Sequence, residues 1–221
     1  MTIAKGRTDC EAERDTIVQG FQELLKVLKR AKKQVEVQAK AELYDIINDK
    51  SLSDEERQNQ MRSFEDMLAE QEESDIRIRR TVLIGLFSFW ELSLKDLCEY
   101  YKIKISKAEK NKKNNKSKTE SRLNEYDYIN AIFQDNRPEY IDLISSQVKE
   151  LRNYMTHGNA GEGRQKNIDT LMTEHPEFCI SKMCGDYFIS SYDGLDKMLK
   201  IINDGLRDTE STAKTLNVQT N

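Results

Sequence analysis

The chain has 221 residues, 37% apolar and 33% charged, with 9 Gly and 2 Pro, which fits one ordinary domain plus an extension or two small ones. Collagen-like, Pro/Gly-rich disordered and disulfide-scaffold compositions are excluded, and so few prolines leave long helices uninterrupted, so the expected fold class is all-α, a helical bundle. The net charge of -4 conceals a segregation of acidic and basic segments, and the greasiest stretch, Val82 to Leu94, contains Glu91 and is too short to span a membrane.

Met1 to Glu13 carries Lys5, Arg7, Asp9 and Glu11 and no apolar core, so it does not read as a secretory signal, and a cytoplasmic location is expected. Ile17, Phe21, Leu24, Leu28, Ala31 and Val35 recur at alternating steps of four and three. They predict a long amphipathic helix, roughly residues 10 to 48, whose exposed face carries Lys26, Lys29, Arg30, Lys32, Lys33 and Lys40. That face reads either as plain solvated surface or as a nucleic-acid contact. Ser53 is a natural N-cap for a second helix, with Asp54, Glu55 and Glu56 in its first turn. From Ser53 to Asp75 there are nine acids against Arg57 and Arg62, and Met61, Phe64, Met67 and Leu68 mark the buried side. Residues 1–75 thus read as an antiparallel helical hairpin, an extension that also suits a dimerisation arm.

Thr81 to Tyr101 is apolar nearly all round, as a central helix is, and Glu91 within it is either exposed on a polar strip or paired. Lys102 to Thr119 has no periodicity and reads as a mobile basic loop or a solvated linker. A helical stripe returns through Leu123, Tyr126, Ile129 and Phe133. Another helix starts at Pro138, runs through Ile141, Ile144, Val148 and Leu151, and stops near His157 and Gly158. Gly158 to Gly163 is expected to be a flexible loop. Glu177 to Ser190 reads as a short β-hairpin turning at Cys184, Gly185 and Asp186, with irregular coil as the alternative. A closing helix through Leu195, Leu199, Ile202 and Leu206 is expected to end in a disordered tail, 209–221. Cys10, Cys98, Cys179 and Cys184 show no paired zinc spacing and read as reduced thiols, and no metal or other cofactor is expected.

Two histidines limit the candidates for proton transfer near neutral pH. His175, before Pro176, reads as an exposed loop residue. His157 closes Leu151-Arg152-Asn153-Tyr154-Met155-Thr156-His157-Gly158, where Asn153 and His157 share a face and Arg152 lies one step around. Tyr154, beside Met155, reads as packing. A guanidinium, an amide and an imidazole at one helix end suit a phosphodiester, with Arg as a fork on the phosphate and His moving the proton.

Arg152, Asn153, His157 and Gly158 at a helix terminus resemble the signature of the HEPN superfamily (higher eukaryotes and prokaryotes nucleotide-binding), an Arg, often followed by a polar residue, then His. The helix Leu83 to Leu92 with Glu91, and the hairpin Phe178 to Ser190 followed by a helix, extend the resemblance over 76–208. The resemblance implies a helical homodimer in which two copies of the motif meet and cleave RNA without a metal, the ribose 2′-hydroxyl attacking the neighbouring phosphate. Arg152 would hold the phosphate, His157 would act as base or acid, Asn153 would assist positioning and Glu91 would orient Arg152. In a subset of the family a Tyr lies two residues after the His. Here that residue is Asn159, so modification at that position is not expected.

The expected function is therefore a metal-independent endoribonuclease, a toxin or antiviral-defence effector acting as a homodimer on tRNA or mRNA, with a cognate antitoxin or partner defence protein. Lys102, Lys104, Lys107, Lys110, Lys112, Lys113, Lys116 and Lys118 are the expected RNA-binding cations, because backbone contacts need charge and not sequence. The alternative is a non-catalytic helical scaffold or binding module recruiting a protein or RNA, in which Arg152 and Glu91 pair and His157 caps carbonyls. A nucleotide sensor is disfavoured, because Gly158, Gly161 and Gly163 follow a helix and do not open one.

Overall fold

Ser53 starts a helix by a capping box: its backbone N–H and Oγ donate to Glu56 Oε2 at 2.9 and 2.7 Å, and the Glu56 N–H donates back to Ser53 Oγ at 3.3 Å. The computed structural model, which describes residues 3–101, 103, 125–133, 137–158 and 161–219, is all-α with one small antiparallel hairpin. Helices α1 (Ile3–Asn48) and α2 (Asp54–Tyr100) are followed by α3 (Glu125–Phe133), α4 (Glu139–Asp142), a π-helical stretch (Leu143–Val148), α5 (Lys149–His157) and α6 (Glu162–Glu174). A 3₁₀ turn (Pro176–Phe178), strands β1 (Ile180–Met183) and β2 (Asp186–Ile189), and α7 (Tyr192–Gln219) complete the chain. None of the described helices is long and apolar enough to cross a membrane.

The described residues form two compact units, 1–82 with 179–196, and 83–178 with 197–221. The expected boundary between 75 and 76 is therefore displaced. α2 is a single helix that runs on through Arg77–Arg80 into the apolar segment Thr81 to Tyr101. In the first unit, Arg57 caps α1 by donating to the carbonyls of Ile47 (3.0 Å) and Asp49 (2.8 Å), which sets the hairpin turn. The segment 179–196 joins this unit through Lys29, which pairs with Asp193 (2.7 Å) and Asp196, and through Tyr192, whose hydroxyl donates to Asp75 at 2.5 Å. Strand register pairs Ile180 with Ile189 and Met183 with Asp186, so Cys184 and Gly185 form the turn, both at positive φ (52° and 90°). Those angles belong to the tight hairpin turn whose twist matches that of the strands.

In the second unit Trp90, Phe87, Leu86, Ile129, Ile141, Ile144, Leu151 and Leu206 are buried. Gly205 lets α7 approach closely: a Cβ there would lie 3.2 Å from Trp90 and Ile144 side-chain carbons. Two further expectations are corrected here. The loop expected over Gly158 to Gly163 gives way at Glu162 to α6, a stretch to which no element was assigned from the sequence; Ile168 and Leu171 are buried on it. Tertiary burial thus overrides glycine content. The tail is helical to Gln219, and Thr209, Glu210 and Ala213 are buried, with Thr209 donating to the Gly205 carbonyl at 2.6 Å. A sparse apolar pattern concealed that packing. The candidate RNA-binding residues Lys102, Lys104, Lys107, Lys110, Lys112, Lys113, Lys116 and Lys118, with Asn159, lie outside the described residues.

Candidate functional site

Phe87 and Glu91 are four residues apart on α2, so both face the same way, and they form a slot in the second unit. Arg152 fills it. Its guanidinium carbon lies 4.7 Å from the centroid of the Phe87 ring, Nη2 donates to Glu91 Oε2 at 2.6 Å, and Nη1 donates to Asn153 Oδ1 at 2.9 Å. The side chains of Arg152 and Glu91 are 17% and 36% exposed. Of the two alternatives for Glu91, the structure takes pairing. The Nε of Arg152 is buried and has no hydrogen-bond partner among the described residues.

α5 reaches this position through the π-helical stretch, where widened turns leave carbonyls for other donors. The Tyr126 hydroxyl donates to the Ser145 carbonyl at 2.7 Å. One turn before Arg152, Lys149 pairs with the buried Glu125 and lies 4.8 Å over the Tyr126 ring. Two carboxylates and two cations thus form one cluster. Burial, the largest influence, pushes the Glu91 carboxyl above its ordinary range. The charge of Glu125 adds to that, and the cations of Arg152 and Lys149 offset only part of it. Glu125, Tyr126 and Lys149 were missed from the sequence. The available signal was the spacing of Lys149 and Arg152, three apart on one helix face.

The C-terminus of α5 behaves as its sequence dictates. Gly158 adopts φ 70°, and its N–H donates to the Tyr154 carbonyl at 2.8 Å. His157 is exposed in the last turn. Five residues separate it from Arg152, about 7.5 Å along the axis and roughly 140° around it. One chain therefore joins Arg152, Asn153 and Glu91 and turns His157 outward on the Asn153 side. Tyr154 and Met155 are buried as packing residues. His175 ends α6, its Nδ1 3.1 Å from Glu177 Oε1 and its ring stacked on Phe178. Among the described residues no group of three or more His, Cys, Asp and Glu side chains is placed to hold a metal ion. Among the described residues Cys98, Cys179 and Cys184 form no disulfide, and burial pushes the Cys98 thiol up to about 12.

No protein-family model, no curated protein and no solved structure matches the chain.

Proposed function

We propose that the chain is a metal-independent endoribonuclease of the HEPN type, acting as a homodimer in a toxin or antiviral-defence role, with a cognate antitoxin or partner defence protein. The observation that carries this reading is the end of α5, where a stacked, carboxylate-held Arg152 and an exposed His157 flank Asn153. A fork already oriented by Glu91 and Phe87 loses little freedom on taking a phosphate. On binding, phosphate oxygens replace the Glu91 carboxylate on Nη2, and Asn153 steers the fork.

One imidazole takes the proton of the ribose 2′-hydroxyl as its oxygen bonds to phosphorus. The bond from phosphorus to the 5′-oxygen breaks, and a second imidazole protonates that oxygen. The products are a 2′,3′-cyclic phosphate and a 5′-hydroxyl. Since His157 points away from Arg152 on its own helix, a second copy supplies the complementary imidazole. The basic segment Lys102–Lys118 would hold the RNA backbone.

Total tRNA incubated in EDTA with the wild type, Arg152→Ala and His157→Ala tests this. Cleavage by the wild type and a loss of about 10²–10⁴-fold in each variant is expected. Equal cleavage by all three removes the assignment.

A scaffold is the second reading, favoured by one observation: Arg152 is largely covered, and its two terminal nitrogens are already held by Glu91 and Asn153. On that reading Arg152→Ala lowers stability, and His157→Ala changes nothing measurable.

A further inference from the structure

The first unit lacks a core in the middle of its helical hairpin. Between Leu25 and Ile46 no described side chain of α1 is buried, and between Phe64 and Arg79 none of α2 is. Yet the apolar stripe continues through both stretches. Val35, Leu68 and Ile78 stand 38%, 36% and 41% exposed along a groove of about 740 Å³ that also holds Leu28, Leu43 and Met67. Paired helices bury such a stripe when another surface supplies the missing side chains.

The charge on the two helices identifies the occupant. From Lys26 to Lys40, α1 carries six basic residues and only Glu36; from Asp66 to Asp75, α2 carries five acids and no base. Lys32 pairs with Asp75 at 2.8 Å and with Glu72 at 3.4 Å, so these segments lie at the same height in the hairpin. A two-fold axis parallel to the helices keeps those heights and sets α1 of one copy beside α2 of the other. Basic then meets acidic twice. Packing α1 on α1 or α2 on α2 would oppose like charges, and a foreign helix of one sign would satisfy only one side.

We propose that this groove is closed by the same groove of a second copy, forming a four-helix bundle of two hairpins. The coreless span from Leu25 to Ile46 is about 32 Å long, and two helices are about 20 Å across, giving about 630 Å² per copy. That lies within the range of stable interfaces, about 600–1,000 Å² per partner. The proposal stands independently of the ribonuclease reading, since it concerns only the first unit.

Sedimentation velocity on the full chain tests it. The wild type should sediment at twice the 25.8 kDa chain mass at tens of micromolar. Val35→Glu with Leu68→Glu, at positions already exposed, should weaken the dimer at least ~100-fold with helical circular dichroism unchanged. A mixture of isotopically light and heavy chains treated with carbodiimide should give mixed-label links between lysines of 26–40 and acids of 66–75. A monomeric wild type assigns the groove to a foreign helix or RNA and overturns the proposal. Dimers without mixed-label links, or a double variant in which those links persist undiminished, overturn it equally.

Discussion

Arg152 commits both terminal nitrogens, one to Glu91 and one to Asn153, and its plane rests on Phe87. Removing it leaves a half-covered carboxylate with its cation gone. Arg152→Ala should lower stability by about 1–2 kcal/mol in urea unfolding, on top of any loss of activity. Glu91 adds a pH dependence. Burial raises its carboxyl in the folded chain, so the folded state holds that proton more tightly than the unfolded state. Its contribution favours folding below the ordinary glutamate range and is lost as pH rises through the raised value. Urea midpoints between pH 4 and 8 should therefore fall more steeply with pH over this window for the wild type than for Glu91→Gln. Parallel profiles would contradict the assignment. Gly158 sets the end of α5 at φ 70°, so Gly158→Ala should cost about 1 kcal/mol and loosen the turn that carries His157.

At the scale of elements, the join between the hairpin and the segment 179–196 rests on a buried charge. Arg79 is fully buried, held by Asp75 and Glu72 (2.8 Å) and covered by the Tyr192 ring at 5.5 Å. Burial pushes the Asp75 carboxyl up, but hydrogen bonds from Lys32 and Tyr192 and the Arg79 charge more than offset it, and the net shift is downward. Its stabilisation is present above the ordinary aspartate range and is lost as pH falls through the lowered value. Asp75→Ala should cost about 3–5 kcal/mol in chemical denaturation, because it strands the guanidinium, whereas Arg79→Met should cost much less. Equal losses would contradict this account.

Elements with local chemical signals were legible in the sequence: the Ser53 cap, the Gly158 stop, and the turn at Cys184 and Gly185. Those set by distant packing were not. α6 and the last turns of α7 carry few apolar residues, and only the folded chain shows Ile168, Leu171 and Ala213 buried. At the candidate site Arg152, Asn153 and His157 could be read from their spacing. The Phe87 platform and the Glu125–Lys149 pair could not, because their partners are far apart in sequence.

Over the whole molecule, the two compact units interleave along the chain, with 179–196 returning to the first and 197–221 to the second. A cut at residue 75 would strip the first unit of most of its hairpin and leave Tyr192, Asp193 and Asp196 without Asp75 and Lys29. A fragment beginning at residue 76 should therefore unfold at lower temperature than the full chain, as differential scanning calorimetry would show; an unchanged transition would contradict that. The end chemistry of RNA incubated with the full chain in EDTA tests the central claim most directly. A substrate cut once should carry a 2′,3′-cyclic phosphate on one product and a 5′-hydroxyl on the other, and a 2′-deoxy nucleotide at the cut should block the reaction. Intact RNA, or cleavage that persists with the 2′-hydroxyl removed, would contradict it.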